Sequence, residues 1–409
     1  MSRAAVTAPL SLENAQARLL SLAIAMPAEY VDIEGAAGRY LAEPLHAART
    51  QPAAHLSAMD GYAVTAGDMT GPWQVVGESA AGHPFAGRMA AGQAVRISTG
   101  AILPEDAAGV ILQEDLQRHG DELRLTGEAP RPAAKHVRHR GMDFEQNAEI
   151  MAAGTRIGPA QMALALAAGH RHLPVRRMPR LAIIDSGDEL AANPEHCAPH
   201  QIPASNGAML LALARTLPVE ARHIGPVPDR IEAITSAFEA SADVDLIVTS
   251  GGASVGDHDL IRPALEQWGA DIDFWRVAIK PGKPILVATR NHDGRRQIVL
   301  GLPGNPVSSY VTAYLFLLPL LRAMAGSIRP LPMRVTARLG AALRAGGRRR
   351  EFLRGWWDGE SVCANALQDS GALSALAASN VLIDSAALRP PARIGEEVQL
   401  FLLDNGGIT

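Results

Sequence analysis

Four short stretches hold the residue types able to do chemistry. Thr249 to Asp259 reads TSGGASVGDHD, Ser186 to Leu190 reads SGDEL, Pro303 to Ser309 reads PGNPVSS, and Ile279 to Pro284 reads IKPGKP. The first puts Gly251, Gly252 and Gly256, the hydroxyl of Ser254 and the carboxylate of Asp259 in one loop. A tight turn needs one glycine, whereas several beside a hydroxyl let backbone N–H groups close on a phosphate. Asp259 and Glu189 offer the oxygen ligands that Mg²⁺ takes. Pro303, Gly304, Asn305 and Pro306 form a second loop of this kind. In IKPGKP the prolines stiffen a segment in which Lys280 and Lys283 flank Gly282, which suits an oxyanion clamp. Turn chemistry or solvated lysines would account for any one of these loops alone. Convergence of several on one sheet edge would not be explained that way.

The surrounding elements predict that convergence. LAIID runs into SGDEL, DLIVTS into GGASVGDHD, and QIVLGL into PGNPVSS. In an open α/β sheet, ligands gather at the carboxyl ends of strands, where helix N-termini point free N–H groups outward. From Arg180 to about Gly326, apolar strands alternate with helices such as NGAMLLALARTL and RIEAITSAFEA, which implies a parallel-dominated sheet covered on both faces. Between about Thr50 and Gly141 the texture is short apolar runs broken by Gly and Pro, a small β-rich module. Helix returns at Gly158 to Gly169, so the module reads as an insertion into a helical platform. After Pro330 the chain is β-rich again, with GEEVQLFLL as a last strand. The first helix is expected to be amphipathic, with Ser11 as N-cap and Leu12, Ala15, Leu19, Leu22 and Met26 on one face. VTAYLFLLPLL is too short to span a bilayer and reads as a buried helix.

Composition narrows the class. The chain has 409 residues, a length prior of about three domains. Hydrophobic content of 47% with 20% charged residues is that of a globular protein with a sizeable core. A net charge of −4 gives no global basic field for nucleic acid or anionic membrane, so any anion must be held by local clusters. Cys197 and Cys363 form neither a CxxC pair nor a disulfide framework, which fits a reducing cytoplasm. His136 and His139 have metal-compatible spacing, but no cysteine or third ligand joins them, which argues against zinc. In HLSAMDGYAV a turn explains Gly61 fully and Asp60 only in part.

Taken together, SAMDGYAV, RISTGAILP, HVRHRGMDF, SGDEL, TSGGASVGDHD, AIKPGKP, GLPGNPVSSY and RREFLRG, in that order from Ser57 to Gly355, resemble the molybdopterin molybdenumtransferase (MoeA) family, related to the gephyrin and plant Cnx1 E domains. SGDEL departs from the family's common threonine but keeps a hydroxyl. The resemblance implies an α/β and β multidomain fold: a discontinuous helical platform (1–49 and 143–178), an inserted β-rich domain (50–142), a three-layer α/β molybdopterin-binding domain (179–327) and a C-terminal β-barrel (328–409). It also implies a cytoplasmic homodimer that inserts molybdate into adenylylated molybdopterin, with Mg²⁺ and release of AMP. By motif, Ser254 and Asp259 would serve the adenylate phosphate and Mg²⁺, with Glu189 and Asp229 in the same acidic set. Lys280, Lys283, Ser308, Arg349 and Ser370 would surround molybdate, Arg349 being one of three consecutive arginines. Asp60, Thr99, Arg138 and Asp143 lie on elements that in this family approach the partner subunit's α/β domain. Other cofactor-biosynthesis proteins are possible partners, while nucleic acid and membrane are not expected. A non-catalytic scaffold would have lost the acidic and basic set. The related adenylyltransferase would lack the β module and barrel. A tungsten-handling relative stays open, because the two oxyanions share charge and shape.

Overall fold

The computed structural model describes residues 9–67, 69–251 and 260–403. The expected site residues Gly252, Ser254, Gly256 and Asp259 lie outside the described residues.

The first helix runs Leu12–Leu20, and the Ser11 side chain caps it by accepting the Asn14 N–H at 3.2 Å. Leu12, Ala15 and Leu19 are buried on one face. The helix packs on the α/β body rather than on the rest of the first fifty residues, and Leu10 bridges to Val277. It stops before Leu22 and Met26, which follow in non-helical backbone leading to Pro27. Met26 is nonetheless buried in the same core.

The platform region pairs Ala28–Asp32 with His172–Arg176 and Leu45–His46 with Glu149–Met151. Helix Pro159–Ala167 completes it, with Pro159 in the first turn where its missing N–H costs nothing. Leu41, Ile157, Leu173 and Val175 form its small core. The chain departs near Gln51 and returns at Phe144, and these two residues pair across an antiparallel bridge. Between them lies a six-stranded sheet, in order Ala107–Leu112, Gly61–Thr65, Gln93–Ile97, Trp73–Ser79, Glu122–Leu125 and Leu116–His119. Tyr62, Val64, Trp73, Ile111 and Leu123 fill its larger core.

The central sheet runs Glu220–Val227, Arg180–Ser186, Leu246–Ser250, Arg295–Leu302, Pro284–His292, Asp271–Arg276. The first four strands are parallel, and the last two add antiparallel. Alternate residues of each inner strand enter different cores. Ile183, Val248 and Leu300 face one side, and Ala182, Ile247 and Val299 the other, which makes the domain three-layered. Helix Pro306–Met324 is long and apolar enough to cross a membrane, but 83% of its apolar window is buried inside the protein. Its turn Ala313–Leu317 is π-helical, just ahead of Pro319, whose ring would crowd the carbonyl of Leu315 in a regular helix.

Beyond it, Arg350–Trp357, Ser361–Ala364, Val335–Leu339, Glu397–Leu402 and Val381–Ser385 pair in turn, and the last closes on the first. That is a five-stranded barrel. Ile279–Lys280, from the α/β body, adds to it in parallel beside Arg350 and Glu351.

Candidate active site

A cleft of about 1500 Å³ opens at the carboxyl ends of the central strands. The strand order fixes what each part of it holds. Asp229 follows Glu220–Val227, Glu189 follows Arg180–Ser186, Gly251 follows Leu246–Ser250, and Pro303, Gly304, Asn305 and Pro306 follow Arg295–Leu302. Lys280 enters from the short strand Ile279–Lys280 and Lys283 from the turn after it, Ser308 from the helix that starts at Pro306, and Arg349 and Ser370 from the barrel. All of these residues line the one cleft.

At its acidic end the Asp229 N–H donates to Asp188 Oδ1 at 3.1 Å. Burial pushes the Asp229 carboxyl above the usual carboxylate range, and the charges of Asp188 and Glu189 add to that. Hard oxygen donors under mutual repulsion are a setting that a divalent cation relieves. Among the described residues no three His, Cys, Asp or Glu side chains form a ready-made metal cluster.

At the basic end, Lys280 Nζ donates to Glu351 Oε1 at 2.9 Å, and Arg349 Nη1 donates to the Ile279 carbonyl at 3.0 Å. Of the three consecutive arginines, Arg349 lines the cleft and Arg348 is exposed away from it. Arg350 is committed to Asp384 and Glu13, and that pairing with Asp384 raises its pKa further. Ser370 Oγ accepts from Asn305 Nδ2 at 3.2 Å, and the Ser370 carbonyl accepts the Val307 N–H at 3.1 Å, so the barrel is stitched to the start of the long helix.

Two residues of the cleft escaped the sequence reading. Asn206 Nδ2 donates to Ser250 Oγ at 2.8 Å and to the Gly304 carbonyl at 2.7 Å, bracing two of the loops. Its position opening an apolar helix was the available signal. Asp185, only 1% exposed, accepts the Gly207 N–H at 2.7 Å and lies 3.1 Å from His223 Nε2. A Cβ at residue 207 would collide with both side chains, so glycine is required there by close approach. No local pattern announces the trio Asp185, Gly207 and His223, because its members come from three separate elements.

Asp60, Thr99, Arg138 and Asp143 are all exposed, and none lines the cleft of its own chain. Asp60 Oδ1 accepts the Thr99 N–H at 2.6 Å, which holds this carboxyl below its usual range. Arg138 pairs in a short ladder opposite Leu56, and Leu56 bridges to Ile102 on its other side. Asp143 sits where the backbone returns past Gln51. Met59, Ile102 and Met142 lie exposed among them, at 42%, 42% and 63%.

Comparison with known proteins covers nearly the whole chain. Residues 10–169 match the MoeA N-terminal region (domains I and II), 182–323 a probable molybdopterin binding domain, and 336–403 the MoeA C-terminal region (domain IV). A molybdopterin molybdenumtransferase of Haemophilus influenzae is 31% identical over 401 residues, 96% of this chain and 98% of that protein. One from a Nostoc species is 33% identical over 87% of this chain and 84% of its own length. Among solved structures, a molybdopterin biosynthesis moeA protein of Pyrococcus horikoshii superposes with a TM-score of 0.83 at 26% identity, covering 97% of this chain and all of that one. A second solved structure, also described as a Pyrococcus molybdopterin biosynthesis moeA protein, gives a TM-score of 0.78 at 30% identity, covering 98% of this chain and all of that one.

Proposed function

This chain belongs to the molybdopterin molybdenumtransferase family, an enzyme family of molybdenum cofactor biosynthesis, and we propose that its cleft inserts molybdate into adenylylated molybdopterin with Mg²⁺-dependent release of AMP. The observation that carries this reading is the separation of charge along one sheet edge. Strands lie about 5 Å apart, so Asp229 and Glu189, which follow the first and second strands, stand roughly 15–20 Å from the cationic corner ahead of the fifth. Such a distance suits an elongated substrate with phosphates at one end and the metal-accepting dithiolene at the other.

Each group then has a role. Gly251 and Gly304, their loops braced by Asn206, leave backbone room for the phosphates, as Gly252, Ser254 and Gly256 are expected to do. Glu189 and Asp229, with Asp259, would hold Mg²⁺ through carboxylate oxygens. When bound, the cation offsets charge on the phosphates as the phosphoanhydride is cleaved. Molybdate is a tetrahedral dianion. Two ammoniums, the guanidinium of Arg349 and the hydroxyls of Ser308 and Ser370 suit its charge and its oxygens. Asp60, Thr99, Arg138 and Asp143 would complete the site of the other subunit in a cytoplasmic homodimer. The direct test is incubation with adenylylated molybdopterin, molybdate and Mg²⁺, with AMP and active cofactor measured. AMP release without cofactor formation, at any molybdate concentration, would leave a hydrolase in place of a transferase.

A further inference from the structure

The cationic corner carries a carboxylate whose position is as defined as that of the cations. Lys280 and Glu351 are directly opposed in the parallel ladder between Ile279–Lys280 and Arg350–Trp357. Their side chains meet at 2.9 Å, with Lys280 53% exposed and Glu351 only 15% exposed. Among the described residues this is the one ion pair made by Lys280, Lys283 or Arg349.

We propose that Glu351 sets the oxyanion affinity of the cleft by competing with the oxyanion for Lys280. This rests on reading Lys280, Lys283 and Arg349 as the oxyanion clamp, and it assigns the opposing role to a residue outside that clamp. An arriving dianion must draw Lys280 away from a carboxylate with little solvent of its own, and a half-buried carboxylate left without its partner is costly. Glu351 therefore holds every tetrahedral dianion to weak binding, sulfate as well as molybdate. Prolonged occupation of the corner by an inert oxyanion is thereby limited.

Glu351→Gln isolates the charge, because its amide oxygen still accepts from Lys280 Nζ. Equilibrium dialysis of the full chain with molybdate alone and with sulfate alone, at low ionic strength, reads the effect. Removing one negative charge a few ångströms from the bound dianion should tighten both by about tenfold, after allowance for the exposure of Lys280. Added chloride should shrink the gain. Glu351→Ala should shift binding in the same direction, and thermal unfolding of both variants confirms that the barrel is intact. Unchanged or weaker binding in a folded Glu351→Gln protein overturns the proposal and makes Glu351 a support that orders Lys280. A separate control guards the premise: if Lys283→Ala leaves molybdate binding of the parent untouched, the clamp reading itself falls.

Discussion

Single residues differ in how far the sequence could specify them. Lys280, Lys283 and Glu189 sat in recognisable loops, and the cleft lining includes all three. The arginine facing the cleft could not be derived from three in a row. Arg350, which opens the strand, is committed to Asp384 and Glu13, while Arg349 just ahead of it bonds the Ile279 carbonyl and lines the cleft. Lys283→Ala removes one charge-assisted contact, roughly 1.5–3 kcal/mol, and should weaken molybdate binding about ten- to a hundredfold, with partial rescue of activity by excess molybdate. Arg348→Ala should leave that binding as it is. The carboxyl of Asp229 makes a pH prediction, because its pKa is raised in the folded state, first by burial and then by Asp188 and Glu189. A group of that kind binds more protons folded than unfolded. Its contribution to stability is therefore full below the unfolded pKa and is lost as pH rises through the raised value. Asp229→Asn should unfold at a higher temperature than the parent at neutral pH without divalent cation, and should lose AMP release. A lower unfolding temperature would show instead that the ionised carboxylate stabilises the fold.

At the scale of elements, periodicity and turn chemistry predicted the strand–loop–helix units of the central sheet and the Ser11 cap, because those signals are local. Where the first helix docks was not legible: an amphipathic stripe says that a face is buried, not against what. The parallel addition of Ile279–Lys280 to the barrel was equally hidden, being a two-residue pairing across about seventy positions of sequence. That junction is held from behind by Arg350, which pairs with the 5%-exposed Asp384 on the barrel and with Glu13 on the first helix. Breaking a buried pair costs about 3–5 kcal/mol, and Arg334, 3.4 Å from Asp384, places the loss at the lower end. Arg350→Met should therefore lower stability by about 3 kcal/mol in urea unfolding, and should weaken molybdate binding through the displaced Arg349 and Lys280. Full stability with normal binding would mean that the barrel is positioned by its hydrophobic contacts alone.

The whole molecule raises a question that its own chain leaves open. The texture changes along the sequence predicted a β module, an α/β body and a β-rich end, and the family resemblance added that this end is a barrel; the structure contains each of them. Composition follows secondary structure closely enough for that, but it carries no information about how separate bodies meet. Asp60, Thr99, Arg138 and Asp143 lie on the exposed surface of the β module and its return, as do Met59, Ile102 and Met142, and none of them lines the cleft of the same chain. Polar groups with a catalytic expectation, alongside uncovered apolar side chains, make sense if a second copy brings its cleft to this face. The consequence is subunit complementation. A chain carrying Asp60→Ala keeps an intact cleft, and a chain carrying Lys283→Ala keeps an intact module. Random pairing makes half the dimers mixed, and each mixed dimer assembles one wholly parental site, so at limiting molybdate the mixture should recover roughly a quarter of parental AMP release. Each variant alone should stay near its own low rate. If mixed dimers are confirmed by mass and activity does not rise above the average of the two parents, the face serves its own chain or none, and the shared-site arrangement is wrong.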